Sequence, residues 1–388
     1  MIALALLVTA AAEEPAAWER DGWGFGGLPA VNFNTDEGFG AGALGNLYRY
    51  DGGTAPYKWM AGLSLFASTK GVHHHRAAWD VLGLAGGPLR VTGRVKLEAN
   101  KSDNWCGAPE LASCDPAQAE AAADALGLEG DARADFVRRY HRTRYVMPYA
   151  LVNGRWMLRD KPHRVEVFAG WRGMMYRTGE LTERGPYAGS VFDQDFGTSQ
   201  DGFTSVFQVG VNADNRDNEP SPSRGYWVEG SARAANGLWG SDWDYVGFNL
   251  NLRGYVPLAG ERLVLADRLI LDGLVGDANI QDLAWFGGLQ VLDGLGNLNA
   301  GRGIRLRRYR GKAVALHQAE LRWRFKQGAV AGVPYYLGLH AFSDLGWVAA
   351  EWGDRGVVLP AQGLGLRVAI DENFIVPADV GFSAVEGW

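Results

Sequence analysis

Apolar and polar residues alternate with a period of two along much of this chain, and an extended strand is the backbone that turns such a period into two distinct faces. From Leu89 to Asn100 the odd positions read Leu89, Val91, Gly93, Val95, Leu97 and Ala99. The even positions read Arg90, Thr92, Arg94, Lys96, Glu98 and Asn100. From Tyr245 to Val256, Val246, Phe248, Leu250 and Leu252 alternate with Tyr245, Asn249, Asn251, Arg253 and Tyr255. Gln318, Glu320, Arg322 and Arg324 alternate with Ala319, Leu321, Trp323 and Phe325. The same pattern runs through 164–177, 203–214 and 226–235.

Periodicity alone does not say which face meets solvent, because a soluble sandwich alternates too. Length decides. The alternating runs are about 10 residues or more, where soluble strands average about 5 to 6 and a tilted membrane strand needs about 9 to 11. Aromatic residues crowd the strand ends, as at Tyr48, Tyr50, Tyr57, Trp59, Trp156, Tyr226, Trp227 and Trp347, where girdles meet lipid headgroups. In hydrocarbon every backbone polar group has to be paired, so such strands close into a barrel whose polar face lines a lumen. The predicted fold is therefore all-β, a transmembrane antiparallel β-barrel. With 54 glycines, 12% aromatic and 21% charged residues, the composition suits many strands joined by tight turns.

Fifteen strands are expected, near 28–34, 37–49, 56–68, 74–85, 88–101, 143–158, 163–177, 202–214, 224–236, 243–257, 261–275, 313–326, 333–349, 361–371 and 374–384. If the first rises from the periplasm, the long connections 102–142, 178–201, 276–312 and 350–360 all lie on the outer side. The short turns Arg159-Asp160-Lys161, Leu258-Ala259-Gly260 and Asp371-Glu372-Asn373 lie on the inner side, as barrels require. Within the first long connection Pro116–Arg139, with Leu126 and Phe136 spaced apart, predicts a short external helix. The run Ile2–Ala12, ending in Ala10-Ala11-Ala12, reads as a signal-peptide core (1–12), with a true start upstream because no Lys or Arg precedes it; a buried strand is the rival reading. Residues 13–27 then form a lead-in and 28–388 the barrel. Cys106 and Cys114 lie close together in an exported chain, which predicts a local disulfide; a metal pair is the rival, though no nearby His or Cys completes a zinc set.

Three local patterns go further. Pro29 to Gly40 contains a Thr35-Asp36-Glu37-Gly38 turn. Asp214-Asn215-Arg216-Asp217-Asn218 is followed by Pro222-Ser223-Arg224-Gly225, where Asp and Asn bond nearby amides, Pro sets φ and Gly supplies positive φ, so a good turn is the plain reading. Leu306-Arg307-Arg308-Tyr309-Arg310-Gly311 lies in the long connection before Ala319-Glu320-Leu321-Arg322, and Phe342-Ser343-Asp344-Leu345-Gly346 follows. Together these resemble the bacterial surface antigen barrels, the BamA/TamA superfamily of outer-membrane assembly and translocation proteins. The patterns match its first hairpin, its periplasmic turn, and its Arg-Gly-aromatic and Phe-x-Asp-x-Gly motifs, with a departure at Arg308 where the family has Gly.

The resemblance implies a barrel of about sixteen strands, the last following the Phe374–Phe382 strand, and finds no room before Leu28 for the family's POTRA domains. It implies that the loop 276–312 folds into the lumen, where Arg307, beside Tyr309, pairs with the inward Glu320 and Asp344 near Gly346. It also implies insertion or translocation of proteins at the bacterial outer membrane, with lateral opening between first and last strands. The partners implied are outer-membrane lipids, client proteins and a separate periplasmic module. The rival is a passive pore in which Arg305, Arg307, Arg308 and Arg310 form a basic constriction.

Other classes fit poorly. A net charge of −6 argues against a basic nucleic-acid surface. His73, His74 and His75 are consecutive on a strand end or loop and cannot all face one ion, so an exposed turn rather than a metal site is expected there. Gly-x-Ser-x-Gly, His-Glu-x-x-His and a phosphate-cradling glycine loop are absent. The reading is of a protein that is not an enzyme, with no metal, cofactor or small-molecule substrate.

Overall fold

The computed structural model describes residues 21–34, 38–54, 56–107, 114–160, 162–178, 188–296, 299–330, 333–370 and 374–385. The alternating stretches form long strands: β1 (Asp21–Asn34), β2 (Gly38–Asp51), β3 (Trp59–Ser68), β4 (His73–Leu84) and β5 (Leu89–Asn104). Helices α1 (Pro116–Ala125) and α2 (Gly130–Arg139) precede β6 (Arg142–Arg159). Next come β7 (Arg164–Tyr176), the short helix α3 (Val191–Asp195), β8 (Gly202–Asp214), β9 (Gly225–Ala235), β10 (Tyr245–Ala259) and β11 (Leu263–Gly276). A long connection holds the two-residue strands β12 (Trp285–Phe286) and β13 (Leu292–Asp293). The main sheet resumes with β14 (Ala313–Val330), β15 (Val333–Ala349), β16 (Val357–Ile370) and β17 (Phe374–Ser383).

Fifteen of these strands form one antiparallel sheet in chain order, β1 to β11 and then β14 to β17. Among the described residues no ladder joins β1 to β17. The sixteenth strand expected from the resemblance lies outside the described residues, as do the leader at 1–12 and the turns at 35–37 and 371–373. The fifteen strands follow the fifteen alternating stretches, but β14 runs on to Val330, β16 begins at Val357 inside the expected connection 350–360, and β1 is the longest extension. β1 begins at Asp21, inside the expected lead-in, because Trp23 and Phe25 alternate with Gly22, Gly24 and Gly26 opposite β2. Glycines on the inner face hide the period there.

Burial settles which face is which. In β10 the apolar Val246 and Phe248 are 44% and 57% exposed, while Asn249 and Asn251 are 4% and 6% exposed. Apolar-out and polar-in is the reverse of a soluble sandwich and matches a barrel wall. The long connections all leave one end of the sheet. The expected single helix over Pro116–Arg139 is two, capped at its start by Asp115 and broken where Gly127 and Gly130 take φ of +65° and +55°.

The lumen departs from the polar-lined expectation. Toward the long-loop end it holds a packed apolar core: Ile270, Leu316, Val348 and Leu359 from the wall meet Phe286, Leu295, Ile304 and Tyr309 from the connection between β11 and β14. A second cluster joins Tyr145, Met147, Met174 and Tyr176 to Phe192 of α3 and to Ile280 and Trp285.

Candidate functional site: the loop-filled lumen

The connection 277–312 enters the lumen because its apolar residues cannot be left in water: Ile280, Phe286, Leu295 and Ile304 are each at most 5% exposed. The β12–β13 hairpin carries Trp285 across to Tyr149 of β6, ring centroids 5.4 Å apart. Backbone groups deprived of water find partners on the wall. The amide of Gly287 donates to Asp272 of β11 and that of Leu289 to Glu229 of β9, both at 2.8 Å, and the Leu289 carbonyl accepts from Asn153 of β6. Asp282 accepts from Arg172 of β7, which also donates to Tyr245 of β10.

Arg302 makes the densest of these attachments. Its backbone amide and Nε donate to Asp344 Oδ2 at 2.9 and 3.1 Å, and its Nη2 to Asp344 Oδ1 at 2.8 Å. Nη1 donates to Glu320, and Asp379 of β17 lies 3.6 Å away. The guanidinium stacks 3.7 Å over Phe342. One arginine thus ties the loop to β14, β15 and β17. Burial alone would lower its pKa, but Asp344 and Glu320 raise it, so it stays charged. Gly303 has φ +88°, and a Cβ there would lie 3.0 Å from the Gly381 carbonyl carbon, so the loop backbone touches the edge strand itself.

This corrects the expectation that Arg307 holds Glu320 and Asp344. Both acids do face inward, and the loop does enter the lumen, but the arginine that reaches them is Arg302. Arg307 points to the opposite wall, donating to Glu98 of β5 and the Tyr145 hydroxyl of β6, and at 2.7 Å to Asp293 of β13. It is fully ionised: burial acts against the charge, but Asp293 and Glu98 raise its pKa well above the ordinary value. Asp293, pushed up by burial, is pulled below its usual range by Arg307. Arg310 donates to Asp103 at 3.0 Å. Tyr309 is 5% exposed in the apolar core, and Gly346 leaves room for Leu295, whose side chain a Cβ would meet at 3.1 Å. The signal missed was the Arg302-Gly303 pair itself, since at Arg307 no glycine follows. Arg307 has φ +56° in spite of its side chain.

At the short-turn end the β8–β9 connection is built as its residue types suggest. Asp214 accepts from the Arg216 amide, Nε and Nη2 at 3.0, 2.9 and 2.8 Å, and from Arg164 at 2.7 Å. Asp217 accepts from the amides of Asn218, Ser223 and Arg224, and Asn218 Oδ1 from the Ser221 amide. Gly225 takes φ +98° against the Asn215 carbonyl, where a Cβ would come within 2.6 Å. Pro222 lines a recess next to β14 and β15. The sequence reading missed two residues that carry this turn across the lumen mouth. Glu219 lies 3.4 Å from Arg90 and 3.9 Å from Arg164, and Ser221 bonds Tyr336 at 2.9 Å and Arg324 at 3.2 Å.

Residues 142–375, more than half of the chain and including both the turn and the loop, match the Omp85 superfamily domain. The chain belongs to the Omp85 superfamily. Its fold is similar to that of BamA from Haemophilus ducreyi lacking POTRA domains 1-3, with a TM-score of 0.51 at 12% identity over 94% of this chain and 70% of that one. It is also similar to CdiB from Escherichia coli, with a TM-score of 0.59 at 11% identity over 92% of this chain and 58% of the other. At such identities the likeness is one of fold. A search of curated protein sequences finds no match.

In this Omp85 barrel Cys106 and Cys114 are joined by a disulfide, near the buried Trp105 at the long-loop end of β5. His73, His74 and His75 are half-buried at the start of β4 rather than in an exposed turn, and His74 Nδ1 lies 3.7 Å from Glu98. Among the described residues no group of three His, Cys, Asp or Glu side chains could hold a metal.

Proposed function

We propose that this Omp85 barrel inserts proteins into, or translocates them across, the outer membrane, using the edge between β1 and β17. The observation that carries the reading is the course of the loop 277–312, which fills the outer half of the lumen and ends on β17 through Arg302 and Gly303. A steady pore needs an open axis, and this axis holds buried side chains. The barrel's residence in the outer membrane, its client proteins and a separate periplasmic module belong to the same proposal, supported by family membership and by the apolar outward face.

Planar-bilayer recording tests it against the passive-pore reading. The intact barrel is expected to be closed or to flicker, and a variant lacking 277–312 to conduct steadily. A disulfide engineered between β1 and β17 should abolish client insertion into vesicles, with reduction restoring it. Steady conductance from the intact protein, together with no client insertion whether or not the cross-link is reduced, would make it a pore.

A further inference from the structure

On the short-turn side of the loop, the wall formed by β4 and β5 turns cations into the lumen. Arg76 and Lys96 stand directly opposite one another across the two strands, an arrangement of like charges that destabilises a sheet. Arg94, two residues before Lys96 on β5, faces the same way. The carboxylates of this wall are already engaged: Glu98 pairs with Lys96 and with the loop's Arg307, and Asp80 accepts from Arg90 Nε at 2.9 Å. Among the described residues Arg76 and Arg94 have neither a hydrogen bond nor an ion pair.

Beside these cations the lumen is open. In register with Arg94, the inward positions of β1, β3 and β4 are Gly26, Gly62 and Ala78. Across from Arg76, β3 presents only Ser64. Arg76 is exposed although it faces inward, and Leu44, in the same row on β2, is 38% exposed. A Cβ added to Gly26 would meet nothing within 4 Å. From β1 to β4, three strand spacings or about 14 Å, the wall is a shallow trough with two guanidiniums on its β4–β5 side.

We propose that this trough holds an extended acidic segment of a client polypeptide. Arg76 and Arg94 are diagonal neighbours about 7 Å apart, and an extended chain presents every second side chain on one face at about that spacing. Alternate carboxylates therefore meet the two arginines in turn, each guanidinium offering paired donors. A small anion in so wide a trough stays largely hydrated and gains little, whereas an extended chain covers the floor. The trough faces the lumen, away from the apolar outer face, which argues against a lipid. The inference rests on the reading of the barrel as one that handles proteins, and names the chemistry of the segment it takes.

The test uses the full chain in non-ionic detergent and a fluorescein-labelled peptide of alternating Ser and Glu, with binding read by anisotropy. The peptide is expected to bind, and the double variant Arg76→Gln with Arg94→Gln to weaken it by about tenfold or more, the loss of at least one charge-assisted contact. Arg49→Gln, which removes the same charge beside the outward Trp23, should leave affinity unchanged. Ser64→Glu sets a carboxylate directly across from Arg76, so it should weaken binding similarly while leaving urea stability at or above that of the wild type. It serves if the double variant does not fold. No binding by the wild type, or equal affinity of the wild type and Ser64→Glu, overturns the proposal. So does displacement of the peptide by inorganic phosphate at equal concentration, or tighter binding of an oligothymidylate of equal charge, which would make the ligand a soluble anion or a nucleic acid. Conductance and cross-linking decide the insertion reading separately, so absent peptide binding alongside cross-link-sensitive client insertion sinks this inference alone.

Discussion

Replacing Arg302 by Ala should release the loop from the side of the barrel nearest the β17 edge. Three side-chain donor groups are lost, two to Asp344 and one to Glu320. Removing one partner of a buried, hydrogen-bonded charge pair costs about 3 to 5 kcal/mol, chiefly because the other charge stays buried. Here the lower end applies. Asp344 keeps Gln318 Nε2 at 3.1 Å and the residue-302 amide at 2.9 Å, and Glu320 keeps Arg322 at 2.6 Å and Arg367 at 2.9 Å. About 3 kcal/mol corresponds to roughly a hundredfold in the population of released loops. Protease cleavage within 277–312, measured in lipid vesicles, should accelerate to match, and urea unfolding should begin earlier. Asp344→Ala should cost a similar amount, and the double variant far less than the sum, because the two act as one unit. Arg302→Lys keeps the charge, loses the fork and should fall between. Additive single effects, or wild-type cleavage rates in Arg302→Ala, would refute the assignment of Arg302 as the latch.

Four further outcomes are expected. Leu321→Arg, on the outward face, should cost about 2 to 4 kcal/mol near the bilayer midplane by urea titration in vesicles. Arg76→Gln, inward and exposed, should stay within about 0.5 kcal/mol; equal costs would argue against the wall's orientation. Partial loss of water alone would raise Glu219 and Asp217, but the arginines around Glu219 and the Ser223 hydroxyl and nearby amides around Asp217 hold both below their ordinary values. Their contribution is therefore complete above about pH 4.5 and is lost as pH falls through the depressed values. Glu219→Gln should flatten the acid limb of a pH-stability curve, and an unchanged limb counts against it. Non-reduced protein should show no free thiol by mass spectrometry, and a free Cys106 would break the assignment.

The strands could be read from the sequence because a wall with an exposed apolar face on one side and a filled lumen on the other imposes its period on nearly every residue. Leu89–Asn100 and Tyr245–Val256 show this directly. Where the inner position was glycine, as at Gly22, Gly24 and Gly26, the period vanished and β1 was placed too late. The inward phase of Glu320 and Asp344 was legible for the same reason as the strands. Which arginine reaches them was not. Arg302 and Arg307 are five positions apart in an irregular loop, where no period ties sequence position to direction, and the backbone path of the loop sends one to β15 and the other to β5. Local residue types built the 214–225 turn, but its reach across the lumen to Tyr336 and Arg324 depends on the curvature of the whole sheet. The same holds for the apolar core in the outer half of the lumen. Its residues come from loops and from strands far apart in the chain, so only the curvature of the sheet around the loop brings them together.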